Sequence, residues 1–572
     1  MKKRAYVWIL VLFFVVLVAA AGVSLMFLSF ERAPAIPAAA YLRLDLAGTI
    51  VDFPETGFWT SFLPGGRALS VHDIWMSLRK AEVDARVRGV FLKIGILDCD
   101  WAKCAEIRDA LIAFRRSGKK AVAFIEELPE GDKEYFLATG CDRIVLHPLG
   151  WLGVNGLGGY VPFFKKSLDK LGIRAEFEHI EEFKTAYNQF TEAGYTPAHR
   201  EMTESLLHSR FEDYIAAVAA SRKKSPEEVR ALIDKAFFQG QEAKEAGLVD
   251  DVLYEDQAVA LWTGEDRPAR PISISAYNRI EAASLGLNTG QRIAIIYGQG
   301  TILGGSSYAQ TMGSDTVAGW FRAVREDASI RAVVFRIDSP GGSAVASDAI
   351  WREVELTRKK KPVVVSMSDL AGSGGYWIAM GADRIIAQPQ TLTGSIGVIS
   401  GKFDLSGLAG KLGITTEKIA FGERADIFTP FRPMSAQERL LFRKQIRWIY
   451  DRFLAQAAEG RKMKPEDMDK VGRGRVWTGR QALELGLVDE LGGLPKAIDA
   501  AKSLAGIEAG EEVRLVVWPK RTSFIGSFFG RGESEAVRIQ ADFLPRDIKN
   551  ALRWALRLNQ ERVWAVMPFL PE

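Results

Sequence analysis

Ser373 stands among glycines in Ala371-Gly372-Ser373-Gly374-Gly375-Tyr376-Trp377, just after an apolar run at 362–367. A serine placed where a strand gives way to a helix is a candidate nucleophile. Glycines let the backbone turn sharply and approach a substrate. A helix that starts at Ser373 aims unpaired N–H groups at a developing oxyanion. A second glycine turn, Asp338-Ser339-Pro340-Gly341-Gly342, follows an expected strand at 333–337. In parallel α/β sheets, ligands bind beyond the C-terminal strand ends, where both turns fall. Backbone N–H groups of Gly341 or Gly342 and of Gly374 are the candidate oxyanion hole. The same glycines would also suit packing and a helix cap, because one small-Ser-Gly turn has low specificity.

The chain repeats itself. Gly140-Cys141-Asp142-Arg143-Ile144 aligns with Gly381-Ala382-Asp383-Arg384-Ile385; Asp142 against Asp383 is an offset of 241 residues. Gly247-Leu248-Val249-Asp250 matches Gly486-Leu487-Val488-Asp489 at a nearby offset of 239 residues. This is a tandem duplication of about 220 residues, not a short-period solenoid. The two copies differ where chemistry is expected. Ser373 faces Asp132, and Gly374-Gly375 face Lys133-Glu134, so the second copy alone has the serine turn. Lys184, in Glu182-Phe183-Lys184-Thr185-Ala186, faces Ala425, so the first copy alone has that lysine.

A serine nucleophile needs a base. All five histidines, His72, His147, His179, His199 and His208, lie in the first copy, and no motif links one to Ser373. A lysine base is the alternative. Its ordinary pKa near 10.4 must be lowered by burial, which Phe183, Tyr187 and Phe190 are placed to supply. Ser395, in Thr393-Gly394-Ser395-Ile396-Gly397, is a second serine in a glycine turn, and its sister Val154 does not exclude it.

Short apolar runs alternate with helical patterns in each copy. Such alternation predicts α/β architecture with largely parallel sheets buried on both faces. The expected organisation is a cytoplasmic N-terminus (1–5), a transmembrane signal anchor (6–30), an N-terminal repeat (40–261), a linker with Pro268, Pro271 and Gly290 (262–291), a C-terminal repeat (292–510) and a tail of unassigned role (511–572). The run at 6–30 carries no charge. At about 1.5 Å per residue it can cross a hydrocarbon core of roughly 30 Å. Lys2, Lys3 and Arg4 predict a cytoplasmic N-terminus with the bulk of the chain outside. A cleaved signal peptide is the competitor, but the apolar run continues well past Ala19-Ala20-Ala21.

A net charge of +4 over 572 residues, with no basic block, argues against nucleic-acid binding. No zinc spacing accompanies Cys99, Cys104 and Cys141, and no metal or cofactor is expected. Cys99 and Cys104 are close enough in sequence to pair, which the spacing leaves open.

Four stretches carry a family resemblance: Asp338-Ser339-Pro340-Gly341-Gly342, Ser373-Gly374-Gly375-Tyr376-Trp377, Leu392-Thr393-Gly394-Ser395-Ile396-Gly397, and 472–489. The chain resembles the signal peptide peptidase A family in its long, tandem bacterial form, from about residue 40 to 510. The resemblance implies two tandem Clp-protease/crotonase-like repeats, with Ser373 as nucleophile and Lys184 as general base. It leaves Ser395 to line or orient the lysine site. It also implies a membrane-anchored homotetramer in the inner membrane with a periplasmic catalytic body. Its substrates would be released signal peptides and other extended apolar peptides. The region Asp98-Cys99-Asp100-Trp101, where the sister copy has a glycine turn, falls outside the family pattern. Two other readings stand beside a serine endopeptidase. One is a crotonase-like acyl-transfer enzyme, which extracytoplasmic placement disfavours because CoA is cytosolic. The other is a catalytically inactive membrane-anchored scaffold.

Overall fold

The computed structural model describes residues 36–54, 68–263, 269–308, 310–520 and 564–567, together with residue 14. The expected anchor at 6–30 lies outside the described residues except for residue 14. Among the described residues, no helix is long and apolar enough to cross a membrane.

Each repeat builds one main sheet. Runs such as Val333-Val334-Phe335 are apolar on both faces, and all three side chains are fully buried. Strands of that kind form the interior of parallel sheets covered by helices on both sides. In the first repeat the order is Arg270–Ser273, Ala40–Val51, Val87–Asp98, Lys120–Ile125, Arg143–Leu146 and Asp251–Val252, all parallel. In the second, Val513–Trp518, Gln291–Gln299, Ile330–Ser339 and Val363–Gly372 run parallel in the same sequence. The last of these pairs with both Arg384–Ala387 and Leu392–Gly394.

The repeats reach further than 261 and 510. Arg270–Ser273, inside the expected linker, lies beside Ala40–Val51, and Val513–Trp518, inside the expected tail, lies beside Gln291–Gln299. Both additions close the same sheet edge. Pro271 is compatible with this place because an edge strand tolerates a missing N–H.

A third sheet joins the repeats. Its order is Thr311–Gly313, Thr301–Leu303, Gly341–Ser343, Trp564–Val566, Ile399–Asp404 and Arg174–His179. Arg174–His179 comes from the first repeat and pairs antiparallel with Ile399–Asp404 of the second, His179 opposite Ile399. Ion pairs fix this crossing. Arg439, on helix Ala436–Arg461, meets Glu176 and Glu178, and Arg443 meets Glu178. The segment after His179 is thereby delivered into the second repeat.

Candidate active site

Ser373 lies between strand Val363–Gly372 and helix Gly374–Ala379. Its φ of 55° and ψ of −113° are rare for a residue with a Cβ. Such strain costs on the order of 1–3 kcal/mol and persists only where surroundings over-determine it. Here the Ser373 N–H is held by Gly394 O at 2.7 Å, and its carbonyl accepts the Trp377 N–H at 2.8 Å. Flanking glycines are required by close packing. A Cβ on Gly375 would stand 2.7 Å from Ser339 O, and one on Gly374 would stand 2.6 Å from Ser347 Oγ and 3.2 Å from Gly341 Cα. The two glycine turns therefore lie against each other.

Lys184 comes from the segment that follows Arg174–His179. Its Nζ lies 2.7 Å from Ser373 Oγ, 2.8 Å from Ser395 O and 2.9 Å from Ser395 Oγ. Lys184, Ser373 and Ser395 are all fully buried, at 0% exposure. Among the described residues no carboxylate compensates the lysine, and burial pushes its ammonium well below the usual lysine range. The burial comes in part from glycines of the second repeat. A Cβ on Gly397 would stand 3.0 Å from Lys184 Cδ, and Gly474 closes on the Lys184 backbone. Phe183, beside it, packs against a cluster containing Met202, Leu206, Leu392, Val476 and Met567. Tyr187 packs elsewhere, with Ala186, Leu303 and Ile399.

Ser395 also has a positive φ, 52°, and its N–H is held by Arg475 O at 2.7 Å. Both serines around Lys184 thus sit on left-handed backbone. Gly374 begins its helix, so its N–H has no partner within that helix. Gly341 has φ 98°, and its N–H already donates to Ser339 Oγ at 3.1 Å.

No histidine bonds Ser373 among the described residues. His72 Nδ1 meets Tyr297 Oη at 2.8 Å, and His179 Nδ1 meets Glu181 O at 2.8 Å. The sister position in the first repeat is closed. Asp132 accepts the N–H groups of Asn155 and Gly156, and burial pushes its carboxyl up to about 6. The three cysteines are unpaired, with Cys99 and Cys104 Sγ atoms 3.6 Å apart. No group of side chains among the described residues could hold a metal ion.

Gly397 and Gly474 are walls of the lysine site that no sequence motif assigns. Gly474 lies in Gly472-Arg473-Gly474-Arg475, part of a stretch already singled out, but nothing local shows that it faces Lys184.

Comparison with known proteins identifies the family. The model of peptidase family S49 matches twice, at residues 113–265 and 355–508, once in each repeat. The chain is 35% identical over 486 residues to the chloroplastic serine protease SPPA of Arabidopsis thaliana, covering 83% of this chain and 70% of that protein. It is 33% identical over 494 residues to Protease 4 of Salmonella typhi, covering 82% and 78%. It is 30% identical over 501 residues to Protease 4 of Haemophilus influenzae, covering 83% and 80%. These matches leave no place for the acyl-transfer reading: the chain belongs to peptidase family S49 and is a serine peptidase.

Proposed function

We propose that Ser373 and Lys184 form the catalytic dyad of an endopeptidase that cleaves extended apolar peptides, released signal peptides among them. The observation that carries this is the 2.7 Å contact between Ser373 Oγ and a buried lysine with no counter-charge among the described residues. A neutral amine has two protons to donate and one lone pair. Ser395 O and Ser395 Oγ can accept hydrogen bonds from both amine N–H groups, which turns the lone pair toward the Ser373 hydroxyl. Lys184 then removes the hydroxyl proton as Oγ bonds to the peptide carbonyl carbon. The protonated lysine gives that proton to the leaving nitrogen as the C–N bond breaks, and water repeats the sequence on the acyl-enzyme.

The oxyanion is assigned to the N–H groups of Gly374 and Gly341. Gly341 exchanges its Ser339 Oγ acceptor for the substrate oxygen. Losing one such donor costs about 10² to 10³ in rate.

An extended substrate is supported by the chain's own segment Trp564–Val566. Its backbone runs antiparallel to Gly341–Ser343, with Met567 N–H donating to Pro340 O at 2.9 Å. Met567 fills apolar space beside Phe183, Leu392 and Leu370. The uncharged run at 6–30 supports anchoring in the inner membrane with this body outside the cytoplasm, and the family resemblance supports a homotetramer.

The test uses the full chain in detergent with a fluorogenic apolar peptide. Ser373→Ala and Lys184→Ala are expected to lose at least a thousandfold in kcat while remaining folded. Near-normal activity in Lys184→Ala would remove the lysine base. Near-normal activity in Ser373→Ala would make Ser395 the next candidate. A wild-type chain inert to a serine-reactive phosphonate would favour the scaffold reading.

A further inference from the structure

The Asp98-Cys99-Asp100-Trp101 region, left outside the family pattern, has a defined place in the structure. Asp100 caps helix Trp101–Arg115 with its side chain. The N–H groups of Asp100 and Lys103 both donate to the Asp369 carboxylate, at 3.0 and 2.8 Å. Lys103 Nζ then bridges two carboxylates of the second repeat, Asp338 at 2.6 Å and Asp369 at 2.6 Å. Asp338 in turn accepts the Leu370 N–H at 3.1 Å.

The two carboxylates stand at informative places. Asp338 is three residues before Gly341, at the end of strand Ile330–Ser339. Asp369 is four residues before Ser373, near the end of strand Val363–Gly372. These adjacent strands carry the two reacting turns, and their pairing is irregular between Ile337 and Ser339, just where the turns begin. The register shifts there, and Asp338 spans the shift by accepting both the Leu370 N–H and the Lys103 ammonium. The third residue of the corresponding second-repeat helix, Ala344–Arg358, is Ala346, so the clamp, like Lys184, comes only from the first repeat.

We propose that Lys103 is a positioning residue of the peptidase, a buried cation that holds the Asp338 and Asp369 strand ends together and so sets Gly341 against Ser373. The proposal rests on the reading of Ser373 as nucleophile. Burial opposes the charge on Lys103, but Asp338, Asp369 and Asp52 more than offset it and hold the ammonium well above the usual lysine range. The groups facing the clamp are Asp338, Asp369 and Asp52 at 3.6 Å, with Arg336 and Glu106 behind Asp52 and the Asp100–Arg210 pair beside Asp369.

Lys103→Met keeps the stem and removes the charge. On the same peptide, kcat is expected to fall tenfold to a hundredfold with KM changed less than about threefold. A stability defect alone would not produce that split in the folded fraction. The variant leaves two carboxylates facing each other. Burial pushes the Asp338 carboxyl up to about 6, and without the cation its charge stands uncompensated beside Asp369, so the ratio of variant to wild-type kcat is expected to fall as pH rises from 5 to 8. Asp338→Asn is measured beside it, because it keeps the side-chain shape and an acceptor for Leu370. Its kcat is expected to fall at least threefold. A folded Lys103→Met with unchanged kcat overturns the proposal. If Lys103→Met does not fold, unchanged kcat in Asp338→Asn overturns it. Both readouts are independent of Ser373→Ala, whose retained activity would instead remove the nucleophile reading.

Discussion

Gly474 lies against the backbone of Lys184 with no room for a side chain between them. A Cβ on Gly474 would overlap the Lys184 backbone nitrogen and stand 2.6 Å from Lys184 Cα and Cβ. Its φ of 82° is also left-handed. Gly474→Ala therefore meets two penalties, about 1–2 kcal/mol for the backbone and the displacement of Lys184. Expected is at least a tenfold loss of kcat in a chain that still folds, read by peptide hydrolysis alongside thermal unfolding. Wild-type kcat in Gly474→Ala would mean that Lys184 tolerates movement and is not held for catalysis.

Lys184 links activity to pH and opposes stability. On the proposed mechanism its neutral form is the active one, and burial depresses its pKa. Activity should rise with pH through that depressed value and be lost below it. Stability has the same slope. Between the depressed folded pKa and the ordinary value near 10.4, the unfolded chain binds a proton that the folded chain does not, so the lysine weakens the fold as pH falls. Each unit of depression is worth about 1.4 kcal/mol. Lys184→Met should therefore be inactive yet more stable than wild type at neutral pH, with the gap closing towards pH 10. Denaturant unfolding at pH 7 and pH 10 checks this. A variant less stable than wild type at pH 7 would show that the lysine's hydrogen bonds outweigh its desolvation.

Much of this site could be read before any coordinates. Comparison of the repeats singled out Ser373 and Lys184, each missing from the sister copy, and the family resemblance paired them as nucleophile and base. The alternation of apolar runs and helical patterns likewise showed the parallel sheets. Other features depend on distance along the chain. Lys103 meets Asp338 across 235 residues and Asp369 across 266, and no local pattern announces either contact. Pro271 looked like linker punctuation because proline is rare in strands, yet the edge beside Ala40–Val51 accepts it. The positive φ of Ser373 was hidden by its residue type, since its glycine neighbours appeared to provide the turn.

That positive φ makes a prediction of its own. Ser373→Ala and Ser373→Gly should both be inactive, but only glycine relieves the backbone at φ 55°. Glycine loses more chain entropy on folding, roughly 0.5–1 kcal/mol, against strain of about 1–3 kcal/mol. The expected balance is a glycine variant more stable than the alanine variant by about 1 kcal/mol, measured by urea unfolding. Equal or lower stability for glycine would show that Ser373 is not strained.

The strand Trp564–Val566 makes the last prediction. It pairs with Gly341–Ser343 on one side and meets Ile399 on the other. A Cβ on Gly372, the residue before Ser373, would stand 2.5 Å from Met567 Sδ. A peptide that approached Ser373 as an added strand would have to take this same edge. A chain ending at residue 563 should therefore bind an apolar peptide more tightly, lowering KM at least threefold with kcat little changed. A synthetic peptide of residues 563–568, Val-Trp-Ala-Val-Met-Pro, should inhibit that shortened chain competitively. An unchanged KM together with no inhibition would place the substrate path elsewhere, and the edge of Gly341–Ser343 would then belong to the fold alone.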